Sequence, residues 1–420
     1  MRIKHIQARE ILDSNGTPTI SAEVELWCGT IGRGDVPSGA STGKTEVLEM
    51  RDGDIERYNG KGVLKAVDLI NNELAKELDD KEFLSQKEFD EYLIKKDGTP
   101  LKTKLGGNTI LALSMAFCRA TAKSIGLELY EYFAMIYFDK QYSQQKLTMP
   151  KPLVLVMEGG KHGNWATDIQ EYMISPKDNV FNSFEQTFEA STNVFRALHD
   201  ILKDKGYSTN VGYEGAFAPQ ELKNNEEAFE LIMQGIKQGG HEGKFEIALD
   251  VASSEFFKDG KYFLKREKRQ LNTEEWINVQ KEWFDKYPVY SVEDPIEQED
   301  WDGWNVFRKE TEDMYQVVGD DLLTTNVQRI KEGIERGSIN SVLIKINQIG
   351  TISETLDAIR VTVENNMTAI VSHRSGETND DLIADLVVGT PANQCKFGGP
   401  DRGERLVKYN RLLEIEKRKR

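Results

Sequence analysis

The sequence predicts an α/β chain in two parts, an N-terminal α+β domain (1–138) followed by an eight-fold βα barrel (139–420). Three observations predict it. The first is a cadence in the C-terminal half, where short apolar runs each end in one residue able to do chemistry: FEIALD at Asp250, VYSVE at Glu293, MYQVVGD at Asp320, SVLIK at Lys345, TAIVSH at His373 and NQCK at Lys396. These ends are separated by roughly 23 to 43 residues, the length of a strand, a helix and two short loops. The second is alternating hydrophobicity over residues 3–35 followed by helical periodicity, the pattern of strands and then helices. The third is length: 420 residues exceed one small core, and a barrel of about 250 leaves enough for a separate domain.

Taken in order, residues 3–35 read as two or three antiparallel strands (TISAEVELW, then GTIGRGDV). Helical spacing runs through 61–79, 82–95 and 107–136. The polar segment 139–148 joins the two parts, and PLVLVM at 152–157 begins the barrel. The final EIEKRKR is a solvated helix end whose cations suit the C-terminal dipole. Between the first strands and the helices lies PSGASTG (37–43), rich in Gly and Ser, with neither a GK[ST] nor a GxGxxG opening a helix. It is either a linker or a lid that closes over the barrel mouth and adds an oxygen ligand.

Composition narrows the function. A net charge of −16 opposes nucleic-acid binding, because phosphates are repelled by the whole surface. It does not oppose an anionic substrate, since a bound divalent cation inverts the local field. The first sixteen residues are charged, without the apolar stretch of a secretory signal, and no apolar run approaches the ~20 residues that span a bilayer. Cys28, Cys118 and Cys395 are scattered and match neither a disulfide framework nor a zinc site, so a cytoplasmic location is expected.

In a parallel barrel the C-terminal strand ends open on one face, so Asp250, Glu293, Asp320, Lys345, His373 and Lys396 are expected to converge. Any one strand-end aspartate is as readily a helix N-cap. Three acids on neighbouring strands, with a lysine on the next, make a hard-oxygen site suited to Mg²⁺. A lysine held neutral beside divalent cations serves as a base toward a C–H next to a carboxylate. Loss of a β-hydroxyl then needs an acid. Glu214, in the glycine-bounded loop NVGYEGAFAP, and Glu171, at what reads as a strand end in TDIQE, are the candidates, although either alone could be a surface residue. His373, Arg374 and Ser375 offer donors for a phosphate or carboxylate.

PSGASTG, GGNTILALS, GGKH, DIQEYMI, VGYEGAFAP, LDVASSEFF, SVEDP, VGDDLLTTN, LIKINQIGT and SHRSGET occur in an order that resembles the enolase family over about residues 3–416. The resemblance implies an enolase-type barrel and the reversible dehydration of 2-phosphoglycerate to phosphoenolpyruvate, a step of glycolysis and gluconeogenesis. It implies two Mg²⁺ per site, one on the substrate carboxylate and a second that binds with substrate. Asp250, Glu293 and Asp320 match the metal ligands, with Ser41 joining the second ion. Lys345 matches the base and Glu214 the acid, with Glu171 beside it. His162, Gln170, His373, Arg374, Ser375 and Lys396 match substrate contacts, Arg374 and Ser375 on the phosphate.

Several positions depart from the family pattern. Asn15 replaces an arginine and Asn193 a glutamate that pair across the family's dimer interface; a homodimer is still expected, with Arg9 and Glu404 able to supply another such pair. Tyr213 replaces the aspartate before the acid, removing a like charge that would raise the pKa of Glu214. Ala216 replaces a glycine, Glu158 an asparagine, Lys161 a glutamate or serine, and Phe397 a threonine, while Trp165 stands in a flexible loop of the family. Two alternatives follow: a paralogue that dehydrates another phosphorylated or sugar acid, and a non-catalytic binding protein of enolase origin.

Overall fold

A computed structural model describes residues 1–39, 43–311 and 314–419. The chain opens with three antiparallel strands, β1 (Ile3–Leu12), β2 (Pro18–Leu26) and β3 (Ile31–Asp35), in that order across the sheet. Asp13 makes the first turn, its carboxylate accepting the N–H groups of Asn15 and Thr17 at 2.8 and 2.9 Å. β3 lies against the buried helix Gly107–Ser124 so closely that a Cβ on Gly32 would sit 2.0 Å from the carbonyl oxygen of Ala116. That contact explains why the strand carries glycines at two inward positions, Gly32 and Gly34.

Helices follow the sheet, as the periodicity predicts. The span 107–136 is not one helix but two, Gly107–Ser124 and Leu129–Phe138. Gly126, at φ +72°, takes a left-handed conformation that ends the first, and a capping box between Glu128 and Glu131 starts the second.

The rest supplies β4 (Lys151–Glu158), β5 (Glu171–Pro176), β6 (Phe245–Asp250), a small ribbon of β7 (Phe257–Lys258), β8 (Lys261–Leu264) and β9 (Arg269–Leu271), then β10 (Val289–Glu293), β11 (Gln316–Gly319), β12 (Ser341–Ile344), β13 (Thr368–Ser372) and β14 (Gln394–Lys396). Eight of these close a barrel in the order β10-β11-β12-β13-β14-β4-β5-β6. β4 and β5 are buried almost throughout, hence their unbroken apolar runs. The barrel departs from a strict βα repeat at one place: β5 runs antiparallel to both β4 and β6. Its two following helices, Phe184–Asp204 and Glu226–Gln238, come before β6 instead of one helix after each strand.

The chain divides into two compact units. One comprises Met1–Thr148, Thr324–Ile330 and Ile344–Asn393, and the other Met149–Leu323, Lys331–Leu343 and Gln394–Arg420. Among the described residues no single helix is long and apolar enough to cross a membrane.

Candidate active site

All six chemical residues of the cadence stand at the end of a barrel strand or one position beyond it. Asp250, Glu293 and Lys396 are the last residues of β6, β10 and β14, and Asp320, Lys345 and His373 directly follow β11, β12 and β13. Backbone pairing holds the first acids level, with Glu293 opposite Asp250 in the parallel β10–β6 ladder.

Lys396 gathers the acids. Its buried ammonium lies 3.0 Å from Asp250 Oδ2, 2.8 Å from Glu293 Oε2 and 3.2 Å from Glu171 Oε1. Burial alone would lower the lysine pKa, but Asp250, Glu171 and Glu293 together hold it well above the usual range. Gln170 Nε2 donates to the same Asp250 Oδ2 at 3.3 Å. Asp294, one residue past Glu293, was not singled out by its sequence position. Its two oxygens accept the backbone N–H groups of Asp320 and Asp321 at 2.9 Å each, which sets the Asp320 turn. Burial, then the charges of Asp321, Asp320 and Asp250, push the Asp294 carboxyl far up. Asp294, Asp320 and Asp321 can offer oxygens within 4.8 Å of one another. Buried acids this crowded repel each other unless a cation or protons intervene, and an all-oxygen donor set fits Mg²⁺.

Glu171 corrects the sequence reading in one respect. It is the first residue of β5, not the last of a strand. Because β5 is antiparallel, its beginning lies beside the ends of β4 and β6, with Glu171 opposite both Glu158 and Asp250. The reversal brings Glu171 to the rim.

Beside it, His162 Nδ1 lies 3.3 Å from Glu214 Oε1 and 3.7 Å from Glu171 Oε1. All three side chains are buried. Burial, then the charge of Glu214, raises the Glu171 pKa to about 7. Burial opposes protonation of His162, yet Glu214 and Glu171 raise its pKa to about 9. Glu171 therefore exchanges a proton near neutrality beside His162 and Glu214, a setting suited to acid catalysis. A cavity of about 520 Å³ opens next to His162, lined among others by Lys161, Asn164, Tyr213, Gln220 and Arg402.

The loop between β4 and β5 is held rather than loose. Asn164 and Trp165 take left-handed backbone conformations, and Arg266 donates to the Trp165 carbonyl at 2.7 Å. Lys265 Nζ sits 3.4 Å from the centre of the indole ring. Asp168 anchors the same loop by accepting the Lys265 N–H at 2.8 Å.

Lys345, His373, Arg374 and Ser375 belong to the other unit. The Lys345 N–H donates to Thr325 Oγ1 at 3.0 Å. Arg374 is buried and forks onto Glu46, with contacts of 3.0 and 3.2 Å, while its Nη1 also reaches Asn347 Oδ1 at 2.9 Å. Glu46 was not legible as a partner, since more than three hundred positions separate the two. Asn15, which stands where the family has an arginine, donates to the Ser375 carbonyl at 3.3 Å. Ser38 and Gly376 exchange backbone hydrogen bonds of 2.7 and 2.9 Å, tying the start of the 37–43 loop to the SHRSG segment. Ser41 lies outside the described residues.

An eight-stranded barrel with acids, a lysine and a proton-holding cluster at its strand ends defines a metal-dependent lyase. Comparison with protein families makes this specific: residues 3–133 match the family described as "Enolase, N-terminal domain", and residues 146–419 match "Enolase, C-terminal TIM barrel domain". The chain belongs to the enolase family and is a Mg²⁺-dependent lyase of that superfamily.

Proposed function

We propose that the chain is a phosphopyruvate hydratase, catalysing the reversible dehydration of 2-phosphoglycerate to phosphoenolpyruvate in the cytoplasm as a homodimer. The observation that carries the reading is the buried His162–Glu171–Glu214 group, in which Glu171 is raised to about 7, adjoining the Lys396-bridged acids Asp250 and Glu293. A purely metal-binding or scaffolding protein has no use for it.

In this reading Asp250, Glu293 and Asp320 would hold a first Mg²⁺, and Ser41 would join a second that would bind with substrate. When bound, the ions offset the negative charge that builds on the substrate carboxylate. Lys345 takes the proton from C2. Glu214, supported by Glu171 and His162, gives a proton to the C3 hydroxyl, so that the C3–O bond breaks, water leaves and the C2–C3 double bond forms. Gln170, His162, His373, Arg374, Ser375 and Lys396 bind and orient the substrate, Arg374 and Ser375 at the phosphate.

The test is the appearance of phosphoenolpyruvate absorbance from 2-phosphoglycerate with purified protein, with and without Mg²⁺. Turnover that requires Mg²⁺ is expected. The cavity beside His162, with Lys161 and Tyr213 on its wall, favours a second reading in which a related phosphorylated or sugar acid is dehydrated. Silence toward 2-phosphoglycerate with turnover of such an acid would replace the first reading by the second.

A further inference from the structure

We propose that Glu158 is a positioning residue that fastens the segment carrying Glu214 to the barrel. The inference rests on the reading of Glu214 as the acid. Glu158 is the last residue of β4 and is fully buried. Its Oε1 accepts the Ala216 N–H at 2.9 Å and the Glu214 N–H at 3.3 Å, and its Oε2 accepts the Glu214 N–H at 3.2 Å. Its own N–H donates to the Phe217 carbonyl at 2.9 Å. Strand and loop are therefore joined through both the backbone and the side chain of one residue.

The fit is close. A Cβ on Gly212 would lie 2.4 Å from Glu158 Cδ, so the loop backbone presses on the carboxylate itself. Two converging backbone N–H groups call for acceptor oxygens. A neutral amide would turn one N–H₂ toward these donors, and an asparagine, the family's usual residue here, is shorter by a methylene.

Other titratable and charged groups surround the same carboxyl. Glu158 faces Glu214 from the loop, His162 from the segment after β4 and Glu171 from β5. Beyond these lie Lys396 on Glu171, and Arg402 and Arg405 on the carbonyls of Gly212 and Tyr213. Burial and the charge of Glu214 raise the Glu158 pKa to about 8, while the Ala216 and Glu214 N–H groups and His162 pull it back.

Glu158→Gln replaces one acceptor oxygen by an N–H₂ at nearly constant size, and Glu158→Asp keeps both oxygens but withdraws them by one methylene. With Mg²⁺-loaded enzyme and 2-phosphoglycerate, Glu158→Gln is expected to keep exchange of the C2 proton with solvent within about threefold. Dehydration should slow by about 10- to 100-fold. Glu158→Asp should likewise slow dehydration while keeping C2 exchange, and this arm decides the matter if the glutamine variant does not fold. Equal loss of exchange and dehydration, or no change at all, overturns the proposal. Should 2-phosphoglycerate not be turned over, hydrogen exchange still decides: the Glu214 and Ala216 N–H groups are expected to lose protection in Glu158→Gln and Glu158→Asp, and unmoved protection overturns the role independently of substrate.

Discussion

Lys345 and Glu214 carry opposite halves of the proposed chemistry, and two variants separate them. Lys345→Ala is expected to abolish washout of the C2 proton, by at least about 10²-fold, the minimum weight of a positioned base. Glu214→Gln should retain that washout and stop net dehydration, because only the departure of the C3 hydroxyl needs its proton. Deuterium exchange by NMR alongside the absorbance assay checks both, and washout that persists in Lys345→Ala sinks the assignment. Single residues were the most legible part of the site: Asp250, Glu293, Asp320 and Lys396 announce themselves at the ends of apolar runs and stand at strand ends in the structure. Their partners were not legible. Glu46 on Arg374, Asp294 under Asp320 and Glu158 under Glu214 act through hydrogen bonds across 26 to 328 positions, for which linear order carries no signal.

Among the elements, β5 shows how a strand's direction decides the identity of a site residue. TDIQE reads as a strand end, but the apolar run, YMI, follows Glu171, so the residue is a strand beginning, and only the antiparallel course of β5 brings it beside Asp250. The break between Gly107–Ser124 and Leu129–Phe138 had a visible cause in Gly126, whose left-handed backbone overrides the apolar periodicity around it. Packing of β3 on the first of these helices leads to a stability prediction. Gly32→Ala places a methyl group 2.0 Å from the Ala116 carbonyl and 2.3 Å from the Ala120 nitrogen, both backbone atoms that cannot step aside. A loss of about 1–3 kcal/mol is expected from chemical denaturation, and a variant as stable as the parent would contradict so close a contact.

For the whole molecule, the acidic balance of −16 and the crowded buried carboxylates agree with a protein that meets its anionic substrate through a cation. Assembly is a separate matter. Arg9 pairs with Glu23 at 3.1 Å and Glu404 with Arg402 at 2.7 Å within the chain. The first pair is largely exposed, worth about 0–1 kcal/mol, and so is readily exchanged for a partner subunit. Sedimentation of the purified protein is expected to give a species near twice 47.7 kDa; a single species near 47.7 kDa at micromolar concentration would remove the dimer.

Local sequence was enough to specify the antiparallel strands over 3–35, the helical segments that follow them, the six barrel strand ends of the cadence and the two-part α/β architecture, since periodicity, capping and strand-end polarity are properties of neighbours along the chain. The antiparallel course of β5, the joining of Asp250, Glu293 and Glu171 by Lys396, and the fastening of the Glu214 loop by Glu158 arise from packing between distant segments. Burial and mutual repulsion then raise Glu171 to about 7 and Glu158 to about 8, while the surrounding acids raise His162, against its burial, from an ordinary value of 6.5 to about 9.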